Sequence, residues 1–282
     1  LWLSRQPSVL EKGDPGSPIR ERVASIVVAP GKDDRQLLNE AIRERLKAAG
    51  VLSGQTATVE TLTRKDLTSV QQLRAENYQA GDVLKAGRAY RKWGIEKGDY
   101  VRVIGGDGQR NLLRVQTASG REAEINPRTA RRFQVFESGQ RELQAGDRIV
   151  FRENDHPLSR KNGLAAEVLQ VHGDRAIVKT ETGEVQRIDF KSLRDGHWTH
   201  AYAQTAHESQ GRTCDRVFVH AESNRLKLTN QQSFYVSISR AKEQAHVFTD
   251  NAEALGLAVA ARSGQKTQAL HASHERGAGM SL

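Results

Sequence analysis

Residues 23–29 read VASIVVA, a short apolar run rich in β-branched side chains that Pro30 and Gly31 bring to a stop. An unbroken apolar run of that length is what a strand buried on both faces of a parallel sheet requires. Behind Asp33 and Asp34, either of which can cap, Leu37, Leu38, Ala41, Ile42, Arg45 and Leu46 recur at helical spacing until Gly50. Strand, tight loop and helix make a βα unit. Residues 56–62 alternate as a further strand, and 67–79 predict a short helix rich in Gln, Arg and Glu.

From Gly81 the pattern changes to short strands punctuated by glycine, at 100–104, 111–115 and 121–126, then at 147–151, 166–171, 176–180 and 185–190. His172-Gly173-Asp174 and Glu181-Thr182-Gly183 stand where hairpins need turns. Lys97-Gly98-Asp99-Tyr100-Val101 and Ala145-Gly146-Asp147-Arg148-Ile149 share a Gly-Asp turn that feeds an apolar strand. The two stretches therefore read as two similar small barrels of SH3-like size, with an OB-like alternative open on spacing alone. After Trp198 the α/β texture returns, with apolar strands at 217–220 and 245–249 around a Ser- and Gln-rich helical stretch, so the β-modules read as an insertion in one α/β domain. The expected organisation is an irregular lead-in at 1–21, the α/β domain at 22–85, a first β-module at 86–143, a second at 144–198, the rest of the α/β domain at 199–262, and a disordered tail at 263–282 whose Gly, Ser, His and Gln show no periodicity.

Charge narrows the classes. Lys and Arg number 43 against 34 Asp and Glu, a net charge of +9, so the surface attracts polyanions, and nucleic acid is the leading candidate partner. Cys214 is the one cysteine, which excludes an internal disulfide and offers no metal-ligand spacing; a reducing cytoplasm is the expected compartment. No apolar run reaches the roughly eighteen residues that cross a bilayer. The start, Leu-Trp-Leu-Ser-Arg, lacks Met and leads to the expectation of a longer polypeptide.

Two segments carry the chemistry. Residues 202–213 crowd small and hydrogen-bonding side chains into a loop before the strand at 217, the composition expected where backbone approaches a phosphate. Residues 233–242 place Arg240 and Lys242 after a hydroxyl-rich helical turn and ahead of the strand at 245, where a fixed cation can reach a phosphate held by a neighbouring domain. The plain readings are a polar surface loop for the first and a surface ion pair for the second.

TAHESQG at 205–211 and YVSISRAK at 235–242 resemble motifs V and VI of superfamily 1 helicases in the RecD-like branch, in the right order and separation. IVVAPGKDDRQLLNEAIR at 26–43 resembles the motif IV region, YQAGD at 78–82 the step into the inserted modules, and GDRIVFREND at 146–155 with KNGL at 161–164 the SH3-like insertion. The double insertion and the wording LLNEAIR most resemble the conjugative relaxase-helicases of TraI or TrwC type. The resemblance, over residues 22–255, implies a RecA-like parallel-sheet domain, the second motor domain, with SH3-like modules inserted. It implies an arginine finger at Arg240, coupling of nucleotide to DNA by Gln210 and Gly211, and a phosphate contact at Arg35. Thr205 and His207 would touch the DNA backbone. Apart from the resemblance, basic residues gather in both modules, Arg110, Arg114, Arg121, Arg128, Arg131 and Arg132 in the first and Arg148, Arg152, Arg160 and Lys161 in the second, with few aromatics between them, which favours backbone contact over base reading.

The same resemblance implies ATP and Mg²⁺ as cofactors of the full-length protein, single-stranded DNA as partner, and an upstream first motor domain and relaxase domain in the same polypeptide. A bacterial cytoplasmic location follows, with a type IV secretion coupling protein as further partner and export to a recipient cell. The rival function is a translocation-signal module without catalysis. Gly211 is followed by Arg212, Thr213 and Cys214 rather than the Glu many superfamily 1 proteins place there for the ribose. No G-x-x-x-x-G-K-[ST] occurs, and GQKT at 264–267 is only a partial echo, so this chain alone is expected neither to bind ATP firmly nor to hydrolyse it. The nicking tyrosine and three-histidine cluster of a relaxase are absent from the sequence.

Overall fold

A computed structural model describes residues 25–261; the lead-in and the tail proposed from composition lie outside them. The apolar run forms strand β1 (Ser25–Val28), and helix α1 (Lys32–Ala48) follows after Pro30-Gly31, with Asp33 and Asp34 in its first turn and Arg45 and Lys47 in its last, the arrangement that suits the helix dipole. The chain then enters eleven strands: β2 (Ser53–Arg64), β3 (Val83–Ala86), β4 (Tyr100–Asp107), β5 (Leu112–Thr117), β6 (Glu122–Ile125), β7 (Phe133–Ala145), β8 (Arg148–Phe151), β9 (Ala165–His172), β10 (Arg175–Thr180), β11 (Val185–Asp189) and β12 (Trp198–His200). It returns through β13 (Ala203–Gln204), the single turn α2 (Ala206–Ser209), β14 (Cys214–His220), α3 (Gln231–Ile238), β15 (Ala241–Phe248) and α4 (Ala252–Ala261).

The described residues divide into two compact units, one of Gln36–Ala203 and one joining residues 25–35 with residues 204–261. The second unit is the α/β one. Its sheet runs β13-β1-β14-β15, with β1 and β15 both parallel to β14. Val28, Val217, Val219 and Leu255 are buried there with Cys214, and Ile26, Ala206, Phe234, Ile238 and Val259 pack on them. A parallel sheet whose neighbouring strands come from either side of residues 36–203 confirms the inserted arrangement. β15 lies at the sheet edge and is largely exposed on both faces, unlike the interior strands.

The other unit is β-rich. Its two sheets run β2-β7-β3-β4-β5-β6 and β11-β10-β9-β8-β12, each antiparallel throughout. Leaving β2 aside, both follow one plan: four strands in a meander and a fifth returning beside the first. The likeness holds residue by residue at a separation of 65. Asp82 and Asp147 are both buried and each accepts the backbone N–H three residues before it, Gln79 or Gln144. Gly81 and Gly146 donate to Val103 and Val168, and isolated bridges join Tyr90 to Ile95 and Asp155 to Arg160. Gly98 and Gly163, both at positive φ, donate to Ala86 and Phe151. The counterpart of Gly146-Asp147 is thus Gly81-Asp82, not the Gly98-Asp99 that the local wording suggests. Gly98 matches Gly163, in the turn after the first strand of each module.

Two further differences from the sequence reading concern residues 53–79. β2 pairs with β7 over most of its length and contributes Val59 to the second module's core and Leu62 to a smaller cluster with Phe136. It therefore belongs with the β-modules rather than the α/β part. Residues 67–79 form two isolated 3-10 turns, Gln71–Leu73 and Ala75–Asn77, instead of a helix. Thr68 and Gln71 exchange side-chain-to-backbone hydrogen bonds and Asn111 accepts from the Ala75 N–H, so backbone groups that a helix would pair are already taken.

Candidate nucleic-acid and nucleotide-coupling site

In the α/β unit the candidate residues collect at two ends of the parallel strands. At the carboxyl end of β1 the Ala29 N–H donates to the Gln204 carbonyl at 3.0 Å, which brings the loop after β13 beside Pro30 and Gly31. Arg35 Nη1 donates to the Ala29 and Pro30 carbonyls at 3.1 and 2.8 Å, fixing the turn between β1 and α1. Thr205 closes a capping box: its hydroxyl accepts the Glu208 N–H at 3.1 Å, and the Glu208 carboxylate accepts the Thr205 N–H at 2.8 Å. That box makes a helix of only four residues possible, and it leaves His207 exposed on its outer side. Arg225 bonds Asp33 at 3.0 Å across the same end, a contact no motif pointed to.

The second group stands at the amino ends of β14 and β15. The Cys214 N–H donates to the Arg240 carbonyl at 2.9 Å, so the 210–213 loop and the end of α3 meet. Gln210 and Gly211 are exposed, and Gly211 takes φ +81° with open space where a Cβ would project. The Arg240 guanidinium folds back over the carboxyl end of its own helix, Nε to the Val236 carbonyl and Nη2 to Ser239 Oγ, both at 3.0 Å. A cation is well placed there against the helix dipole. Reaching a phosphoryl group on another domain requires it to exchange those two bonds. Burial pushes the Cys214 thiol up, which suits a packed residue rather than a nucleophile. Arg35, grouped with Gln210 and Gly211 in the sequence reading, stands instead with Thr205 at the opposite strand ends.

In the β-rich unit Arg148 and Lys161 are exposed, the first on β8 and the second in the turn before β9, while Arg152 Nε donates to Thr199 Oγ1 at 2.9 Å. Arg160, next to Lys161, is 4% exposed, pairs with Asp195 and lies over the Phe151 ring; it is a structural residue. Among the described residues no group of three or more His, Cys, Asp or Glu could hold a metal ion, and no helix is long and apolar enough to cross a membrane.

Residues 150–249 match the model of the viral superfamily 1 RNA helicase core domain. The multifunctional conjugation protein TraI of Escherichia coli is 26% identical over 240 residues, which cover 82% of this chain and 13% of that protein. The probable conjugal transfer protein TraA of Sinorhizobium fredii is 36% identical over 115 residues, 40% of this chain and 10% of the relative. The chain thus spans about an eighth or less of these relatives. Among solved structures, two Pif1 helicases coordinating at forked double-stranded DNA align over 81% of this chain and 39% of theirs at 14% identity and TM-score 0.39. Bacteroides Pif1 bound to single-stranded DNA aligns over 80% and 40% at 16% identity and TM-score 0.37.

Proposed function

From a chain that carries a superfamily 1 helicase domain related to the conjugative relaxase-helicases, we propose the following role: it is the second motor domain of an ATP-driven helicase that moves 5′ to 3′ on single-stranded DNA and unwinds plasmid DNA for transfer. Thr205 and His207, at the carboxyl ends of the strands, contact the DNA backbone. Gln210 and Gly211 couple that contact to the nucleotide, and Arg240 is the finger that stabilises charge on the transferring phosphoryl group. The observation that carries this reading is the bond from the Cys214 N–H to the Arg240 carbonyl. Through it the loop leading away from His207 and the helix bearing Arg240 share one strand end, so a shift of DNA at one end of the sheet is felt at the other.

The sequence has no phosphate-cradling Walker loop, so the chain does not carry a complete nucleotide site of its own. ATP and Mg²⁺ belong to the whole motor, where they supply the phosphoryl transfer; in this chain Arg240 only waits for them. Arg148, Arg152 and Lys161 are DNA-backbone contacts belonging to the second module itself.

The test is oligo(dT) binding by this chain over a salt series, for the native sequence and His207→Ala. Binding that steepens with falling salt, and weakens about five- to ten-fold in the variant, agrees with a lost backbone contact. A chain that ignores oligo(dT) at low salt would sink the motor reading and leave the type IV secretion signal as the function to pursue.

A further inference from the structure

The internal repeat supplies its own control. In the second module, residues 152–159 and 191–198 form one rim, joined where the Arg152 N–H donates to the His197 carbonyl. Arg152, Lys191 and Arg194 there stand against Glu153, Asp155 and Asp195, and Arg194 is paired with Asp155. The corresponding rim of the first module, residues 87–94 and 126–133, is joined by the equivalent bond from the Gly87 N–H to the Arg132 carbonyl at 2.6 Å, and by the Arg132 N–H to Tyr90 Oη at 3.0 Å. It carries Arg88, Arg91, Lys92, Arg128, Arg131 and Arg132 and not one carboxylate. Tyr90 stands where the second module has Asp155, and Ala130 where it has Asp195. All six cations are exposed, and none forms an ion pair with a described residue. Six unneutralised cations on two bonded loops repel one another, an arrangement that a bound polyanion relieves.

Beside these cations lies a cleft of about 250 Å³, lined by Val70, Leu73, Tyr78, Pro127, Arg131 and Phe133 among others. Phe133, 8% exposed, stacks on Tyr90 with ring centroids 4.7 Å apart and planes 8° from parallel. Val70 is 65% exposed at the cleft although apolar. An apolar, aromatic slot with a guanidinium in its wall and cations around it matches a nucleotide of a single strand: the base enters the slot and the phosphates on either side meet the arginines.

We infer that this rim is a second single-stranded-DNA site, separate from Thr205 and His207, at which one unstacked base sits between Tyr78, Phe133 and Val70. It rests on the reading of the chain as a DNA motor and adds to it a grip that takes a base as well as the backbone.

The experiment compares oligo(dT) with a strand of the same length made of abasic deoxyribose phosphates, across a salt series. Three variants join the native chain: Arg128→Ala/Arg131→Ala/Arg132→Ala, the charge-matched Arg175→Ala/Lys179→Ala/Arg187→Ala on the second module, and Val70→Asp. Circular dichroism checks that each is folded; the replaced side chains are exposed apart from Val70's partial cover. The first triple variant is expected to lower the slope of log affinity against log salt by about 2, the value for three single-strand phosphate contacts. The charge-matched variant should change it far less. The native chain should prefer oligo(dT) over the abasic strand by at least about five-fold, the lower end of what one stacked base contributes, and Val70→Asp should erase that preference. Equal affinity for the two strands overturns the slot, and equal slopes in the two triple variants overturn the rim as a specific site. If His207→Ala abolishes binding while the Arg128/Arg131/Arg132 variant binds normally, the rim is overturned and the motor reading stands. The reverse result removes His207 from the DNA path and leaves the rim. A native chain that binds neither strand overturns both.

Discussion

Asp147 has no exposed surface, yet it accepts hydrogen bonds from Arg43 Nε and Nη2, from the Gln144 N–H at 2.7 Å and from the Tyr202 hydroxyl at 2.7 Å. Arg43 also reaches Glu142 at 2.8 Å, and the hydrogen bond from Arg43 holds that carboxyl below its ordinary range. Removing one partner of a buried pair strands the other, so Arg43→Ala is expected to destabilise the chain by about 3–5 kcal/mol. A urea titration checks this; a loss under 1 kcal/mol would mean water replaces the guanidinium. Two buried histidines add a pH effect. Burial lowers His197 and His200 to about 4, from an ordinary value of 6.5. Both stay neutral in the folded chain while the unfolded chain takes up protons, so their stability is fully present above pH 6.5 and lost as pH falls toward 4. Between pH 7 and pH 5 each contributes a fall of about 2 kcal/mol. Denaturation at the two pH values tests this, and His197→Gln should remove its share of the slope.

One element decides how Thr205 acts. Four residues are too few for a helix to hold itself, so α2 depends on the Thr205–Glu208 box, worth about 1 kcal/mol when the cap is lost. If Thr205 serves DNA binding by shaping the turn that presents His207, then Thr205→Ala and Glu208→Ala weaken oligo(dT) binding alike, and Thr205→Ser restores it. A Glu208→Ala variant that binds normally beside a defective Thr205→Ala would place the threonine hydroxyl on the DNA itself. Hydrogen exchange of 206–209 reports the cap independently of binding.

At the scale of the whole molecule, two units with separate cores are expected to unfold separately. Among the described residues Trp93 and Trp198 lie in the β-rich unit together with most of α1, whereas α2, α3 and α4 lie in the other. Tryptophan fluorescence and far-ultraviolet circular dichroism should therefore give different urea midpoints. Coincident curves would show one cooperative fold and contradict the division. The net charge of +9 acts at this scale too: it raises the attraction of the whole surface for any polyanion, whichever cations make the contacts.

The sequence by itself determined the α/β class, the inserted β-rich region and the helicase resemblance, because short apolar runs, glycine turns and motif order are local properties of the chain. The pairing of Thr205 with Glu208 was equally within reach, since a capping box has fixed spacing. Tertiary structure alone decided which glycine-aspartate turns correspond, because the wording at 97–101 and at 145–149 is alike while only strand order identifies Asp82 as the partner of Asp147. It alone separated Arg35 from Gln210 and Gly211, and it alone divided the arginines. Arg43 and Arg160 are buried beside carboxylates over a hundred and thirty-odd residues away in the chain respectively, whereas Arg128, Arg131 and Arg132 face solvent with none beside them among the described residues. Whether a cation is structural or free to bind depends on what long-range folding sets beside it, and no local spacing records that.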